Sequence, residues 1–268
     1  MILETTNQEE ISKALEKNMT NKFIYLAVKN LEMVFIDRES MRIVNSCHPA
    51  DMFNIICNTR TEDPKILADA IKYFSEKELP FAWWIGFYGE PVNLKSKLEN
   101  LGLHFDECEL GMFIHLDKLP SKEKNLELEI VKVHDQKTLQ DFSSVVADIV
   151  PNDAGAIKSF FSANQYEILD ECSRLILFVG YLKNKPIATS ALFCDSGVVG
   201  VWDVITLPKA RGKGVGTQMT LKALQEGKKF GYRIGVLTAS DEGQFVYKKL
   251  GFNPLKEYRV CNYNKFRS

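Results

Sequence analysis

Residues 204–217 read VITLPKARGKGVGT, and this stretch decides the fold. An apolar run ends at Leu207, three glycines alternate with other residues, and a helical pattern begins near Gly214. The pattern predicts a strand, a glycine-rich loop and the N-terminus of a helix. Glycine lets a ligand approach the backbone closely, and the N–H groups at a helix N-terminus bind anions. Because Arg211 and Lys213 add two full positive charges, we predict that the loop binds a pyrophosphate.

The pattern on both sides of this loop predicts an alternation of strands and helices. Strands are predicted at residues 127–133, 175–181, 186–193, 198–207 and 234–237, with a further strand at the C-terminus. Helices are predicted at residues 135–150, 156–169, 214–230 and 243–250. Asp135 is the expected N-cap of the first helix, and Gly251 ends the last one. Turns at residues 183–185 and 195–197 join the three central strands.

The N-terminal half carries a weaker copy of this order. Two short helices are expected within residues 11–27 and a strand at 34–37. Residues 52–116 then predict strand, helix (64–78), strand (81–86), helix (92–101) and strand, as residues from 202 onward do. The segment LGL at 101–103 matches LGF at 250–252, an offset of 149 residues, which favours a duplicated fold.

One difference between the halves bears on function. In the first half the turn from strand to helix, residues 59–64, reads TRTEDP. It has no glycine and carries Glu62 and Asp63, which would repel phosphates. A polar segment with a proline, residues 119–125, predicts the linker between the halves.

Composition excludes several classes of protein. The 268 residues suggest two modest domains, and 34 basic against 35 acidic residues give no footprint for nucleic acid. The N-terminus lacks the features of a secretory signal, and no apolar run reaches bilayer-spanning length. The six cysteines include no CxxC pair, so we expect reduced thiols, no zinc site and a cytoplasmic protein without a membrane partner.

The glycine-rich loop matches neither the P-loop pattern nor the Rossmann fingerprint. It fits R/Q-x-x-G-x-G/A and so resembles the coenzyme A loop of the GNAT superfamily of N-acetyltransferases; the alternative is a tight turn with incidental glycines. The lead-in Leu207-Pro208, the YKKLGF ending at 247–252 and the order of elements from residue 127 strengthen the resemblance. The whole chain is similar to tandem members whose first half has lost its cofactor loop. This implies an α/β fold with a mixed sheet and two GNAT-like domains, at residues 1–120 and 126–268.

The resemblance also implies how acetyl-CoA binds. Pantetheine would lie along the strand before the loop, at Val204, Ile205, Thr206 and Leu207. The pyrophosphate would meet the loop and the first helical turn, at Arg211, Gly212, Lys213, Gly214, Val215, Gly216, Thr217 and Gln218. Ser240 stands where many members have an asparagine that contacts the cofactor; the alternative is a helix cap. One of Lys222, Lys228 and Lys229 could meet the 3′-phosphate, although a solvated helix face is the simpler interpretation.

Direct transfer to an amine needs two proton steps. An alkyl ammonium of pKa about 10.4 must lose a proton, whereas a thiol of pKa about 8.5 leaves with little help. Tyr247 matches the general acid of the family, the alternative being a core aromatic, and its counterpart in the first half is Leu98. The family glutamate that often serves as base is replaced by Gly200. Asp203 is the only acid within its strand, but simple alternation turns it away from its neighbours unless a bulge intervenes.

Asp195 and Glu171 are weaker candidates for the base. The aromatic stretch at residues 81–85, FAWWI, suits core packing better than the lining of a substrate site. We therefore expect an acetyl-CoA-dependent N-acetyltransferase without a metal, acting on a small-molecule or peptide amine as a monomer or homodimer. The alternatives are a non-catalytic acyl-CoA sensor or scaffold, and an enzyme that transfers a longer acyl group. The depth of the pocket near Trp202 would decide the latter.

Overall fold

The computed structural model describes residues 2–86, 88–120 and 127–264. The helices are α1 (Gln8–Lys29), α2 (Pro64–Ser75), α3 (Leu94–Asn100), α4 (Gln136–Ile149), α5 (Ala154–Ala163), α6 (Gln165–Leu169), α7 (Val215–Lys229) and α8 (Gly243–Leu250). The strands are β1 (Val34–Asp37), β2 (Arg42–Asn45), β3 (Ile55–Cys57), β4 (Ala82–Ile85), β5 (His104–His115), β6 (Leu128–Lys132), β7 (Leu175–Leu182), β8 (Lys185–Asp195), β9 (Val198–Thr206), β10 (Ile234–Ala239) and β11 (Asn253–Asn264).

The chain divides into two compact units that are each discontinuous in sequence. The first unit comprises Met1–Met19 and Gly111–Lys256, and the second comprises Thr20–Leu110 and Glu257–Ser268. The sequence predicts a division at residues 1–120 and 126–268. In the structure, residues 1–19 belong instead to the unit that holds most of the C-terminal half, and residues 257–268 belong to the other unit. The assignment of the two predicted ranges as GNAT-like domains remains a prediction. Residues 121–125 of the predicted linker lie outside the described residues.

The first unit is built on a mixed sheet with strand order β5-β10-β9-β8-β7-β6. The strands from β6 to β9 pair antiparallel, and β10 pairs parallel with β9. Both predicted hairpin turns are present, with Asn184 and Gly197 at positive φ, as tight hairpins require. On one face α7 lies so close to β9 that a Cβ at Gly227 would stand 2.7 Å from a methyl group of Val199. This close approach holds the C-terminal part of α7 against the start of β9.

Local sequence signals explain the helices on the N-terminal side of this unit. Asp135 caps α4 in a capping box, accepting a 2.8 Å hydrogen bond from the Thr138 N–H, as predicted. The helix predicted at residues 156–169 is instead two helices, α5 and α6. The break is at the buried Asn164, whose side-chain amide donates to the Phe160 carbonyl at 2.8 Å. A local side-chain bond of this kind competes with continuation of the helix.

The second unit has strand order β1-β2-β3-β4-β11-β5, with β3 and β4 parallel. Its core joins Phe74 of α2 and Leu98 of α3 to Trp83 of β4 and Tyr263 of β11. Strand β2 was not predicted. The two short helices expected within residues 11–27 were also wrong, because α1 is one continuous helix. Its buried positions lie on several faces and include polar side chains, so the apolar spacing was a poor guide.

The expectation of six reduced thiols fails for two cysteines. Cys108 on β5 and Cys261 on β11 form a disulfide with Cα atoms 4.0 Å apart. The two residues are 153 positions apart in sequence, so no spacing pattern could indicate the pairing. In the described part of the chain, no helix combines the length and apolar character needed to cross a membrane.

Candidate functional site

A β-bulge interrupts β9 at the residue proposed as the base. In the register with β8, Ala191 faces Trp202 but Thr189 faces Ile205, so β9 holds an extra residue between them. Asp203 lies at this point with φ of 51°. The buried Thr189 hydroxyl donates to the Asp203 carbonyl at 2.9 Å. Simple alternation predicted that the Asp203 side chain points away from those of its neighbours. Because a bulge disrupts alternation, that prediction does not apply to this residue.

Beyond the bulge, β9 separates from β10. The parallel register pairs Val199 with Gly235 and Gly200 with Val236, and among the described residues no pair joins these strands further along. Residues 203–206 are partly exposed. The main chain of β9 therefore has an edge on which an extended molecule could form backbone hydrogen bonds. Val204, Ile205 and Thr206, which the sequence predicts as pantetheine contacts, lie along this edge.

The glycine-rich loop begins where β9 ends. The Leu207 N–H donates to the Ile187 carbonyl at 2.9 Å, and a short 3₁₀ turn follows at Pro208–Ala210. The exposed Arg211 donates through Nε to the Thr206 carbonyl at 3.0 Å, so its side chain lies against the end of the strand. Gly212 and Gly214 have φ of 75° and 84°, which glycine adopts without strain. The glycines are thus required by this loop geometry.

The N-terminus of α7 has no side-chain cap. Gly214 is its N-cap residue and forms no side-chain capping bond. The first bond of the helix runs from the Gln218 N–H to the Gly214 carbonyl at 3.1 Å. The N–H groups of Val215, Gly216 and Thr217 precede it and have no partner within a helix. Gln218, whose N–H is taken and whose side chain is buried, is not among the amides that this terminus can offer.

The corresponding helix of the second unit begins differently. Asp63 is the N-cap of α2, and its carboxylate accepts a 2.8 Å hydrogen bond from the Lys65 N–H. Pro64 follows as the first helical residue and has no N–H. A carboxylate therefore occupies the position that an anion would take at an open terminus. Of the two helix starts, only that of α7 has the geometry of an anion site.

Helix α8 carries Tyr247, the proposed general acid. Its half-buried ring packs edge-on against Phe252 with centroids 5.7 Å apart. The helix ends at Gly251 with φ of 99°, and the Phe252 N–H donates to the Tyr247 carbonyl at 3.0 Å. This ending presents the tyrosine on a short, well-terminated helix.

The same ending recurs 149 residues earlier, in the second unit. Gly102 has φ of 83°, and the Leu103 N–H donates to the Leu98 carbonyl at 3.1 Å. The match of backbone geometry at the predicted offset supports the duplication. Leu98, however, is fully buried and has no hydroxyl group.

The remaining predicted residues are placed as follows. Exposed Ser240 lies two residues before Glu242, the N-cap of α8, and its hydroxyl oxygen accepts a 3.1 Å bond from the N–H of Gly243, the first residue of that helix. Asp195 forms an ion pair with Arg174 and accepts a hydrogen bond from Ser196. Asp195 is thus committed to structural contacts, which weakens it as a base. Glu171 is exposed.

A buried asparagine beside the site was missed from sequence. Asn18 donates to the carbonyls of Phe193 and Asp195 at 3.1 and 3.0 Å and accepts from the Trp202 indole at 3.1 Å. A Cβ at Gly200 would clash with both the Asn18 amide and the Trp202 ring. These two side chains thus fill the space beside Gly200 and leave no room there for a larger residue. Asn18 is 184 residues from Trp202, so no local signal indicated the contact.

Comparisons with known proteins agree with this geometry. Residues 173–254 match the family model described as an acetyltransferase (GNAT) domain. A GCN5-related N-acetyltransferase from Kribbella flavida has a TM-score of 0.67 at 16% identity, covering 95% of this chain and 96% of its own. A functionally unknown conserved protein from Staphylococcus epidermidis has a TM-score of 0.66 at 12% identity, covering 91% of this chain and 98% of its own.

A tandem GNAT protein from the clavulanic acid biosynthesis pathway has a TM-score of 0.54 at 11% identity, covering 96% of this chain and 93% of its own. None of the curated proteins compared with the chain matches it. The chain is a GNAT-fold protein, and the segment that matches the acetyltransferase (GNAT) family model, residues 173–254, contains the loop, the bulged strand and α8. The predicted resemblance is confirmed, and the alternative of incidental glycines is set aside.

Proposed function

We propose that the first unit is an acetyl-CoA-dependent N-acetyltransferase that passes the acetyl group directly to an amine. The observation that carries the proposal is the uncapped N-terminus of α7 beside the open edge of β9. The N-terminus of α7 fits a pyrophosphate, and the edge of β9 fits a linear chain with amide groups. Coenzyme A contains both groups. In the described part of the chain, no group of acidic, histidine and cysteine side chains could hold a metal ion.

The residues that would hold the cofactor follow from the geometry. Backbone groups of residues 204–206 would bond the pantetheine amides. The N–H groups of Val215, Gly216 and Thr217 would bond the pyrophosphate, with the positive end of the helix dipole behind them. Arg211 and Lys213 are exposed at the same loop and would neutralise its charge. A Cβ at Gly216 would meet the Thr206 hydroxyl at 3.5 Å, an ordinary van der Waals distance.

The chain's own groups would serve the two proton transfers. Acetyl-CoA supplies an acetyl thioester; the amine nitrogen bonds to the acetyl carbon and the carbon–sulfur bond breaks. Tyr247 would donate a proton to the leaving thiolate. Asp203, displaced by the bulge, would accept the proton that the ammonium loses. Acid–base assistance of this kind contributes about 10²–10⁴-fold, and the thiol leaving group places Tyr247 at the low end.

The rival function is a non-catalytic sensor of acyl-CoA. It is favoured by Gly200, because the Asn18–Trp202 contact leaves no room there for the family glutamate. Tyr247→Phe separates the two functions, since it keeps the ring packing and removes the acid. Thiol release from acetyl-CoA should be followed with a panel of small-molecule and peptide amines, and affinity by calorimetry.

For an enzyme, turnover should fall by about 10²-fold with cofactor affinity nearly unchanged. Phe252→Leu, which alters the ring that Tyr247 packs against but keeps the hydroxyl, is the matched control and should lose much less turnover. Tight binding of acetyl-CoA without thiol release for any amine would favour the sensor. A small-molecule or peptide amine as acceptor, and a monomeric or homodimeric protein, remain predictions.

A further inference from the structure

The second unit also contains two parallel strands that pair briefly and then separate. The last pair in their register is Ile56 with Trp83, and among the described residues no pair joins β3 and β4 further along. In the first unit β9 and β10 also pair at two positions and then separate. Backbone groups beyond such a separation have lost their partner in the ladder, so another group must satisfy them.

A glutamate side chain bridges the ends of these two strands. One carboxylate oxygen of Glu90 accepts a 3.1 Å hydrogen bond from the Thr59 N–H, two residues after β3. Its other oxygen accepts a 2.6 Å hydrogen bond from the Gly86 N–H, directly after β4. Thr59 is itself fixed, because its buried hydroxyl accepts from the Trp83 indole at 3.0 Å. The carboxylate therefore lies in the gap that opens where the pairing of β3 and β4 ends.

Arg60 ties the segment before Glu90 to the same place. Its guanidinium donates a hydrogen bond to the Tyr88 carbonyl. Gly89 lies directly against this guanidinium, since a Cβ at Gly89 would clash with it. Gly89 also has φ of 77°, which glycine adopts without strain. The chain from Tyr88 to Glu90 is thus bonded at two points to residues that follow β3.

A second carboxylate lies at the start of α2 in the same unit. Asp63 accepts there from the Lys65 N–H at 2.8 Å, whereas the start of α7 in the first unit has no side-chain cap. The second unit therefore supplies its own anionic group at the helix start and at the strand gap. These are the two kinds of position that the first unit offers to an acyl-CoA under the proposed function.

We propose that the gap between β3 and β4 is a carboxylate-binding site and that Glu90 is its built-in ligand. The Thr59 and Gly86 N–H groups are both donors, and an ionised carboxylate offers two oxygens that can only accept. Hydrogen bonds from backbone N–H groups to a carboxylate are about twice as strong as neutral ones. The comparison with an acyl-CoA site rests on the proposed function, but binding of a carboxylate does not. Failure of acetyl-CoA binding and failure of carboxylate binding are therefore separate results.

The test removes the built-in ligand from the full chain and supplies a free one. Glu90→Ala should lower the melting temperature by about 5 °C, because two N–H groups lose a charged acceptor. Sodium formate, the smallest carboxylate, should raise the melting temperature of this variant by about 2 °C more than sodium chloride at equal concentration. The wild type, whose site Glu90 fills, should respond equally to the two salts. Glu90→Gln is the matched control, since its amide still fills the gap and should exclude formate.

Backbone NMR places the response at the gap. The amide signals of Thr59 and Gly86 should move in Glu90→Ala and return toward their wild-type positions as formate is added. If Glu90→Ala does not fold, Glu90→Gln gives the readout: its side chain has one acceptor oxygen, so one of the two signals should move. Unchanged amide signals in these variants would overturn the proposal. A formate response in Glu90→Ala no larger than that of the wild type would overturn it as well.

Discussion

The Thr189 hydroxyl donates a 2.9 Å hydrogen bond to the carbonyl oxygen of Asp203, the bulged residue of β9. The bulge removes this carbonyl from the regular ladder with β8, and a fully buried hydroxyl replaces the lost partner. One side chain thus stabilises the bulge at Asp203, close to the point where β9 and β10 separate.

We predict that Thr189→Val destabilises the protein by about 1–3 kcal/mol, because the Asp203 carbonyl loses a buried partner. It should also weaken acetyl-CoA binding, since residues 204–206 follow the bulge directly. Urea unfolding and calorimetric titration measure the two effects. Thr189→Ser keeps the hydroxyl and should retain most of the affinity. Equal affinity in the Val and Ser variants would contradict a role for this bond in shaping the site.

We predict that replacing Asn18 destabilises the protein more than replacing most other polar residues of the first unit. Asn18→Leu should lower the free energy of unfolding by about 3 kcal/mol, because it leaves the Trp202 indole and two carbonyls without their bonds. Urea unfolding followed by tryptophan fluorescence is the measurement. Lys17→Ala, at the exposed neighbouring position, should change stability by less than about 0.5 kcal/mol. Similar losses in the two variants would mean that the Asn18 bonds contribute little.

The disulfide gives a prediction for the second unit. Cys108→Ser should destabilise the protein by about 2–5 kcal/mol, since the Cys108–Cys261 bond closes a loop of 153 residues in the unfolded chain. A reducing agent should lower the stability of the wild type to that of the variant and leave the variant unchanged. Cys172→Ser alters an exposed cysteine outside the disulfide and serves as control. A wild type that is insensitive to reductant would contradict the bond.

Because of the Cys194 thiol, we expect the free energy of unfolding to depend on pH in the alkaline range. Burial, with help from Asp195 and Glu226, raises the pKa of its thiol to about 12. The folded state then holds the proton more tightly than the unfolded state, whose thiol has a pKa of about 8.5. The resulting stabilisation is complete below pH about 8.5 and is lost as the pH rises toward 12.

The difference in unfolding free energy between wild type and Cys194→Ala should therefore shrink with pH above about 8.5. Urea unfolding at a series of pH values between 7 and 10.5 measures this difference. Cys172→Ala, at an exposed position, controls for general alkaline destabilisation. A difference between wild type and Cys194→Ala that stays constant over this range would rule out the shifted thiol.

Local chemistry made much of the first unit predictable. The capping box of Asp135, the turns at Asn184 and Gly197, and the glycine loop each depend on residues close in sequence. The same holds for the repeated endings at Gly102 and Gly251. These signals predicted the glycine-rich loop and the position of Tyr247 near the end of α8.

Long-range contacts were not predictable. Asn18 reaches Trp202 across 184 residues, and Cys108 meets Cys261 across 153. The bulge at Asp203 depends on its register with β8 and on Thr189, not on any feature of β9 alone. These features depend on pairing between distant segments of the chain, and a local sequence pattern cannot indicate which segments pair.

The most direct test of the central claim is calorimetric titration of acetyl-CoA into wild type, Arg211→Glu and Lys158→Glu. Arg211→Glu places a negative charge at the proposed pyrophosphate site, whereas Lys158→Glu makes the same reversal at an exposed position of α5. The account predicts one site per chain in wild type, unchanged affinity in Lys158→Glu, and loss of binding in Arg211→Glu. No binding to wild type, or equal affinity in all three proteins, would contradict it.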